Sequence, residues 1–591
     1  MRRLWLATGF GLVVLGAGCG SPAIVSPPPP PPPPPPAAAN CSSVTALQLS
    51  VGEHQVIDPS STGGCVRVPA AGAAGAEYVV VVTSTTGVRS QAGVSGSYYV
   101  RTSNPSSSVM AGGASAAAPT LAPPTGLGGQ GFPVAPRLGQ GPTSGAFHEM
   151  LRQREAVLAA DPANRAGPPT GPARAPAAGP PSVGDLRTFK VCKEITCSQF
   201  DSVVATARFV GTKAAIYMDN TVPTADTLQD ADYQNLGQTF DTYHYPIDLA
   251  AFGAESDLDQ NGRIVILMTD AVNSLTPDCT NGRVLGYFFG LDLITTGNQA
   301  INSNKGEVFY TFVPSGSTPK CSAVSRSQAL GVIKPTLIHE LQHMISWNQR
   351  VILGPGQSEE TWLNEAMSHF AEELGGRQIP NSECTPYVSC RSMYVSGDII
   401  NTYDYLTDTE AQFLIYPTSS NGTLEERGAS WNFLRWTIDQ FATDTILGSD
   451  ITKRLVTGPG GAATFASVTG QSFSQLVTEW LLATYLDDKA GFTPLSARLR
   501  FKSWGLRAIF ENPVNQKTAS PPGPFDGFPL RPDSTSGTYT HGGTLRGGSG
   551  RHFRLIQGAN GPGIDFQVLK DAAGNGLDPA LVARIGIARI R

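Results

Sequence analysis

Hydrophobic residues recur with two different periods along the chain, and these periods separate strand-rich parts from a helical part. Short runs rich in valine, isoleucine and aromatic residues, bounded by glycine and serine, are typical of β-strands. Such runs lie at 78–82, 98–100, 203–209, 214–218, 263–268, 307–312, 552–556 and 564–569. After Pro335 the period changes from about 2 to about 3.6, which predicts that most of 335–490 is helical. The predicted fold class is therefore α+β.

The same pattern predicts a division into domains. Residues 41–104 and 501–591 each contain strand-like runs, and each is expected to form a small β domain. Between them, residues 187–500 are expected to form a larger domain with a strand-rich N-lobe and a helical C-lobe. Residues 105–186 are rich in Ala, Gly, Pro and Ser and are predicted to be a linker with one helix at 146–160. The sequence leaves open whether that helix docks on the larger domain or acts as a pro-segment.

The N-terminal residues have the pattern of an export signal. Two arginines precede an apolar stretch at 4–16, which is too short for a usual membrane span and leads to Cys19. The residues around Cys19 resemble a bacterial lipobox, in which the cysteine is diacylated; the alternative is an ordinary secretory signal. We expect a signal peptide at 1–18 and a lipid-anchored stalk at 19–40, built around the proline run 27–36. This predicts an exported cell-surface or outer-membrane lipoprotein, held to the membrane through lipidated Cys19.

Charge and cysteine content narrow the range of functions. The formal net charge is -5 and no basic run occurs, so nucleic acid is not expected as a partner. Of the nine cysteines, Cys19 is assigned to the lipid anchor, which leaves an even number for an oxidising compartment. The remaining cysteines lack the short spacing of a zinc knuckle, so disulfides are favoured over a second metal site. Sequence order suggests the pairs Cys41–Cys65, Cys192–Cys197, Cys279–Cys321 and Cys384–Cys390.

The helical region contains two histidines with the spacing of metal ligands. His339 and His343 are four residues apart, so on a helix they lie about 40° apart around the axis and face one point, as a tetrahedral zinc needs. Glu340 follows His339 directly, and its carboxylate can reach a metal-bound water without ligating the metal. Pro335 suits the first position of this helix. The alternative is a solvated helix face that carries two unconnected histidines.

A second helix is predicted to begin after the N-cap Ser358 and to stop at Gly375. Its apolar residues form one stripe, while Glu365, His369 and Glu372 lie together on the opposite face. A third metal ligand is therefore expected from this face. Glu365 is the first candidate, and Glu372 is its nearest rival.

Together the two helices resemble the gluzincin metallopeptidases, in which a His-Glu-x-x-His helix is followed by an Asn-Glu-Ala helix. The metzincin pattern does not fit, because it needs glycine at 346 and histidine at 349, where this chain has serine and glutamine. Within the gluzincins the closest resemblance is to the hyicolysin family, and it covers roughly 188–490. The residues that carry it are His339–Met344, Trp362–Glu373, Gly286–Gly290 and Asn304–Tyr310.

The resemblance implies a gluzincin-like fold and a zinc metalloendopeptidase acting on protein or peptide substrates. It assigns the zinc ligands to His339, His343 and Glu365. The implied chemistry is hydrolysis of peptide bonds through a zinc-bound water, with Glu340 as general base. The alternative is a surface adhesion or binding lipoprotein that keeps the fold. The presence of Glu340 favours the enzyme, because a binding protein needs no general base.

One position departs from the family pattern. Thermolysin-like gluzincins have an aspartate four residues after the third ligand, which orients a zinc histidine, and here that position is His369. His369 is expected to orient a ligand or to stabilise the developing oxyanion, and it is counted with Glu340 as a catalytic candidate. The alternative is a solvent-facing histidine. Tyr394, Tyr403 and Tyr405 are the candidates for a further oxyanion donor.

Alternating oxygen donors ahead of a predicted strand indicate a second metal site. Asp257, Asp259 and Asn261 precede Gly262, as in the first half of a calcium loop. The twelfth position, where an EF-hand has glutamate, is Met268 in this chain. Calcium is therefore a second candidate cofactor. The alternative is an Asx-rich turn that leads into the strand.

Overall fold

The computed structural model describes residues 39–104, 132–135, 141–165, 179–419 and 422–591. The predicted signal peptide, Cys19, the proline run and most of the predicted linker lie outside these ranges. Within them, no helix combines the length and the apolar character needed to cross a membrane.

Strands and helices occur together, which confirms the predicted α+β class. The strands are β1 (His54–Ile57), β2 (Cys65–Val68), β3 (Ala76–Thr83), β4 (Ser95–Ser103), β5 (Leu186–Cys192), β6 (Phe200–Val210), β7 (Ala214–Asp219), β8 (Ile264–Met268), β9 (Gly286–Phe288), β10 (Val308–Thr311), β11 (Asp533–Thr535), β12 (Tyr539–Arg546), β13 (Gly550–Gln557), β14 (Ile564–Leu569) and β15 (Arg584–Arg589).

Most of the described helices lie between β10 and β11. The helices are α1 (Pro142–Ala160), α2 (Asp230–Thr239), α3 (Tyr245–Phe252), α4 (Asp270–Ser274), α5 (Arg326–Trp347), α6 (Thr361–Gln378), α7 (Cys390–Tyr394), α8 (Ser396–Thr407), α9 (Leu424–Phe441), α10 (Ser449–Thr457), α11 (Gly461–Thr469), α12 (Phe473–Leu486) and α13 (Leu506–Phe510).

Strands from both ends of the described chain form a β-sandwich. One sheet has the order β1-β15-β3-β13-β11 and the other has the order β12-β4-β14-β2. Their inner faces share one apolar core, in which the rings of Phe553 and Phe566 lie 5.5 Å apart across the two sheets. The Arg67 guanidinium donates to both carboxylate oxygens of Asp565, at 2.7 and 2.9 Å, and so ties β2 to β14.

This sandwich corrects the prediction of two separate β domains. β3, from the segment 41–104, pairs antiparallel with both β13 and β15, which come from the segment 501–591. Strand pairing between such distant segments leaves no local trace in the hydrophobic pattern, because each strand shows only which of its faces is buried. The two segments therefore build one sandwich.

A six-stranded sheet lies in the strand-rich part of the central region. Its order is β5-β6-β7-β8-β10-β9, with parallel pairing of β7 to β8 and of β8 to β10 and antiparallel pairing elsewhere. All five residues of β8 are buried, as expected for a central strand covered on both faces. β9 is an edge strand of this sheet, and it packs next to α5.

Helix α5 begins earlier than predicted. Ser325 and Gln328 form a reciprocal capping box, with the Gln328 amide 3.3 Å from Ser325 Oγ and the Ser325 amide 2.9 Å from Gln328 Oε1. Pro335 lies inside this 22-residue helix, so its predicted place at the first helical position is wrong. The capping box, and not the proline, marks the start.

Helix α6 also extends beyond its predicted end. It begins after the N-cap Glu360, not after Ser358, and it continues through Gly375 to Gln378. A Cβ added at Gly375 would lie 2.8 Å from Tyr394 Cδ1, and one at Gly376 would lie 2.6 Å from Val395 Cγ2. These glycines therefore allow the segment around α7 to approach α6 closely, and they do not end the helix.

Four disulfides occur among the described residues, and they have the predicted pairing. They are Cys41–Cys65, Cys192–Cys197, Cys279–Cys321 and Cys384–Cys390. Disulfides persist in oxidising compartments, so this pattern indicates an environment outside the cytoplasm.

Candidate metal centre

Helices α5 and α6 pack against each other and bring three metal-binding side chains to one point. Nε2 of His343 lies 3.2 Å from Nε2 of His339. The two oxygens of Glu365 each lie 3.6 Å from one of these nitrogens. Nitrogen and oxygen ligands about 2.0–2.2 Å from a tetrahedral zinc are about 3.3–3.5 Å apart. The donor atoms of His339, His343 and Glu365 therefore fit a zinc ion.

Glu372, the rival third ligand, lies behind His339 and not beside the other donors. Its Oε1 is 2.7 Å from Nδ1 of His339, on the side of the ring that faces away from Glu365. Burial opposes ionisation of Glu372, but hydrogen bonds from His339 and His369 hold its pKa below the usual value. A carboxylate in this position keeps the Nδ1 proton in place and leaves Nε2 free to bind a metal.

His369 is buried, with 3% of its surface exposed, so the expectation of a solvent-facing histidine is wrong. Its Nδ1 lies 2.8 Å from Oδ1 of Asp398 on α8 and 3.0 Å from Oε1 of Glu372. Burial alone would lower the pKa of His369, but Asp398 and Glu372 raise it to about 10. The result is a chain of contacts between ionisable groups that runs from Asp398 through His369 and Glu372 to His339.

Glu340 is fully buried beside the three donors. Its Oε2 accepts a hydrogen bond from the backbone amide of Phe288 in β9, at 2.9 Å. Its Oε1 lies 3.3 Å from Nδ1 of His148 on α1. Burial raises the pKa of Glu340. The carboxylate is thus anchored by the sheet edge on one side and faces α1 with the other oxygen.

Arg427 on α9 supplies the positive charge nearest to the Glu365 carboxylate in this cluster. Its Nη1 lies 3.0 Å from Oε2 of Glu365. Burial opposes ionisation of Glu365, but Arg427 and the two histidines hold its pKa well below the usual value. Ser368 Oγ, on α6, lies 3.1 Å from Nδ1 and 3.2 Å from Nε2 of His343. Each of the two α5 histidines therefore has a polar partner on α6, which is Glu372 for His339 and Ser368 for His343.

Only one of the three candidate tyrosines lines the cavity at this centre. Tyr394 does so, but its hydroxyl is already 2.8 Å from Nε2 of His244. Tyr403 stacks on Phe525, and Tyr405 stacks on Trp480 in the core.

Sequence reasoning missed four residues around the centre. Tyr387 is half-buried and lines the same cavity. Arg427, Asp398 and His148 also belong to this surrounding, and each comes from an element other than the two motif helices. Arg427 in particular has the sequence pattern of an ordinary charge in the first turn of a helix. No local signal identified any of the four.

Helix α1, predicted at 146–160 and observed at Pro142–Ala160, covers the centre. Ser144, Gly145 and His148 line the cavity together with His339 and Glu340. The sequence left its position open, and the structure docks it on the body of the protein.

A cluster of two histidines and a glutamate from two helices, with a further buried carboxylate beside it, is the arrangement of a metal-dependent hydrolase. No family model matches the chain. Over 194 residues the chain is 27% identical to the neutral metalloprotease ShpI of Staphylococcus hyicus. The match covers 32% of this chain and 40% of that protein. This distant and partial similarity supports a metallopeptidase.

Proposed function

We propose that this protein is an extracytoplasmic zinc-dependent endopeptidase of the gluzincin type, with His339, His343 and Glu365 as the zinc ligands. The observation that carries the proposal is the separation of their donor atoms, 3.2–3.6 Å, next to the buried carboxylate of Glu340. The partial similarity to a neutral metalloprotease supports the same reading. Among the described residues, the groups of side chains that could hold a metal all lie outside the β-sandwich, which gives its binding role less support.

Zinc held by these ligands would polarise the carbonyl of a bound peptide and lower the pKa of a water. Glu340 acts as general base: its Oε1 takes the proton of the attacking water and passes it to the leaving amine. The hydrogen bond from Phe288 to Oε2 holds the carboxylate in one orientation. The raised pKa of Glu340 suits a group that must accept and then release a proton.

In our proposal His369 has two roles, one through each ring nitrogen. Through Nδ1 it holds Glu372, which in turn orients His339. Its Nε2 has no hydrogen-bond partner among the described residues, and the side chain lines the cavity. That nitrogen is available to donate to the carbonyl oxygen of a substrate as negative charge develops there.

The proposal is tested by comparing Glu340→Gln with the wild type. The variant keeps the shape of the side chain but cannot take a proton, so peptide cleavage should fall by about 10²–10⁴-fold while zinc content stays at one per chain. Glu511→Gln, an exposed change at the end of α13, is the matched control and should leave both unchanged. Equal cleavage by wild type and Glu340→Gln would refute the mechanism, and a wild type without zinc would refute the site.

We also propose that Cys19 carries the lipid that holds the protein at a membrane, on the basis of its lipobox-like surroundings. Metabolic labelling with a fatty-acid precursor should mark the wild type and not Cys19→Ser, and the variant should leave the membrane fraction. Equal labelling of both forms would exclude this anchor.

A further inference from the structure

The segment that precedes β8 has the local geometry of the first half of a calcium loop. Asp257 Oδ1 accepts a hydrogen bond from the Gly262 amide at 3.2 Å, and Asp259 Oδ1 accepts one from the Asn261 amide at 3.2 Å. Gly262 has a φ of +67°, a left-handed conformation that favours glycine. In an EF-hand, oxygen donors stand at positions 1, 3 and 5, and a glycine at position 6 makes the sharp turn.

A glutamate that could replace the missing position 12 directly precedes another strand, β10. β10 pairs parallel with β8, and the Val265 amide donates to the Glu307 carbonyl at 2.7 Å. This register brings the Glu307 side chain to the loop. One carboxylate oxygen from each of Asp257, Asp259 and Glu307 then lies within 4.8 Å of the others.

The carboxylate of Glu307 has one oxygen whose hydrogen bonding the described residues do not satisfy. The residue is 2% exposed, and its Oε1 accepts hydrogen bonds from Ser256 Oγ at 2.6 Å and from the Leu258 amide at 3.0 Å. Its Oε2 is buried and has no hydrogen-bond partner among the described residues. Burial raises the pKa of Glu307 to about 7. A buried carboxylate oxygen without a partner is costly unless a cation meets it.

We propose that Asp257, Asp259 and Glu307 bind one calcium ion. The donors are all oxygens, which suit a hard cation and not zinc. The guanidinium of Arg187 lies 3.8 Å from Oδ2 of Asp259, and Lys213 is close enough to Asp257 to interact with it electrostatically. These two positive charges do not balance three carboxylates. A bound calcium would tie the loop before β8 to the start of β10 and so stabilise the sheet whose edge strand is β9.

The test measures calcium binding to the zinc-loaded protein by equilibrium dialysis, together with thermal unfolding in calcium and in magnesium. Wild type should bind one calcium and unfold at a higher temperature in its presence, whereas Asp257→Asn and Glu307→Gln should bind at least tenfold more weakly and lose the shift. Asp278→Asn, an exposed carboxylate paired with Lys320, is the matched control and should behave like wild type.

The proposed site would be refuted if wild type bound no calcium at millimolar calcium concentrations. It would also be refuted if wild type and the three variants bound calcium with equal affinity. Asp257 is exposed, so Asp257→Asn should still fold. It therefore tests the calcium site even if Glu307→Gln fails to fold. Zinc content measured on the same samples separates this outcome from a failure of the proposed function.

A second inference rests on the proposed function and concerns α1. Extended peptides commonly bind by adding to the exposed edge of a sheet, and β9 is an edge strand beside Glu340. Side chains of α1 already bind one backbone group of β9 and one of the segment that follows it. Arg152 Nη2 donates to the Phe288 carbonyl at 2.8 Å, and the Gly290 amide donates to Glu155 Oε1 at 2.7 Å.

Residues of α1 also contact the proposed general base, Glu340, and the cation beside Glu365, Arg427. His148 Nδ1 lies 3.3 Å from Glu340 Oε1, and the Gly145 carbonyl accepts a hydrogen bond from Arg427 at 3.3 Å. Arg152 and Glu155 are each 3% exposed. The buried polar side chains of α1 thus bind specific partners beside the candidate metal centre, as expected for a helix that packs there in one defined position.

We infer that α1 occupies the path of the substrate and inhibits the peptidase within the folded chain. A substrate can reach β9 and Glu340 only after α1 leaves. Changes that weaken its contacts should therefore activate the enzyme.

The test compares His148→Ala and the double variant Arg152→Ala/Glu155→Ala with wild type. We expect kcat/KM for a short peptide to rise at least tenfold, and a synthetic peptide of residues 141–165 to reverse the rise. Hydrogen exchange at the Gly290 amide should accelerate in the double variant, independently of activity. Val157→Ala, at a position 74% exposed on the same helix, is the matched control and should change neither readout.

Faster exchange at Gly290 without a gain in activity would overturn the inhibition. Adding Glu340→Gln to the activated variant should abolish its cleavage. If neither wild type nor any variant cleaved peptides, the proposed function would be contradicted. The proposed inhibition by α1 would then be refuted as well.

Discussion

Glu372 accepts hydrogen bonds from Nδ1 of His339 and lies 3.0 Å from Nδ1 of His369. A carboxylate behind a metal-binding histidine fixes its tautomer and raises its basicity, and removing such a partner costs about 10–100-fold in metal affinity. Glu372→Gln keeps the size of the side chain but removes its charge. We expect zinc affinity, measured by competition with a chelator, to fall by that factor.

Glu511→Gln serves as the control for the Glu372 variant, because it removes an exposed carboxylate that does not line the cavity at the centre. Unchanged zinc affinity in Glu372→Gln would show that the contact with His339 has no role in metal binding. Complete loss of zinc would instead point to Glu372 as a direct ligand.

At the scale of residues, the sequence predicts which side chains lie at the candidate metal centre better than it predicts what each of them does there. His339, Glu340 and His343 follow from helical spacing alone. Glu365 and Glu372 lie on the same face of α6, and only the packing of α5 against α6 separates the metal side of His339 from its rear. Arg427 and Asp398 could not be predicted, because their contacts depend on how α8 and α9 dock.

At the scale of elements, Gly375 and Gly376 offer a direct test of how α6 meets its neighbours. A Cβ at Gly376 would lie 2.6 Å from Val395 Cγ2, so α7 or α8 must shift. Gly376→Ala should therefore lower the free energy of unfolding by about 1–3 kcal/mol in urea denaturation. The shift would also move α8, which carries Asp398.

The opposite sign would mean that helix propensity dominates, because alanine is favoured over glycine inside a helix by about 1 kcal/mol. Gly316→Ala is a suitable control, since nothing lies within 4 Å of the added Cβ there.

The existence of the helices and strands follows well from the hydrophobic pattern, whereas their ends do not. The pattern predicted helices at both metal motifs, but it placed the start of the first at Pro335 and the end of the second at Gly375. Proline and glycine are common at helix ends, and the prediction rested on this preference, whereas the structure places the start of α5 at the capping box of Ser325 and Gln328. Close packing explains the glycines, and packing partners are not visible in a local window.

At the scale of the whole molecule, His552 joins the sandwich to the helical region. Its Nε2–H on β13 donates to the Leu481 carbonyl on α12 at 2.8 Å. Burial lowers the pKa of His552 from 6.5 to about 4. The unfolded chain takes up this proton at a higher pH than the folded one, so stability present above pH 6.5 is lost as the pH falls toward about 4.

His552→Gln keeps a donor for the carbonyl but does not titrate. Its free energy of unfolding, measured in urea at several pH values, should therefore fall less steeply than that of wild type between pH 6.5 and about 4. His541→Gln is the control, since His541 is partly exposed and lies on β12 in the other sheet of the sandwich. Parallel curves for all three proteins would contradict the prediction, and acid release of zinc would affect all three alike.

The pairing of the segments 41–104 and 501–591 in one sandwich could not be predicted from the sequence, for a physical reason. Alternation of buried and exposed positions shows that β3 or β13 has an apolar face, but it does not identify the partner strand. Arg67 and Asp565, which bind each other, are 498 residues apart.

The position of β3 between β13 and β15 also sets an order of events in time. Tyr78–Val82 are at most 1% exposed in the finished protein, yet both neighbouring strands belong to residues that the ribosome adds hundreds of positions later. Until those strands are synthesised, this apolar segment remains unpaired unless a chaperone binds it. A message truncated before β13 would release a chain with that strand permanently unpaired, which is a hazard for aggregation and a mark for degradation.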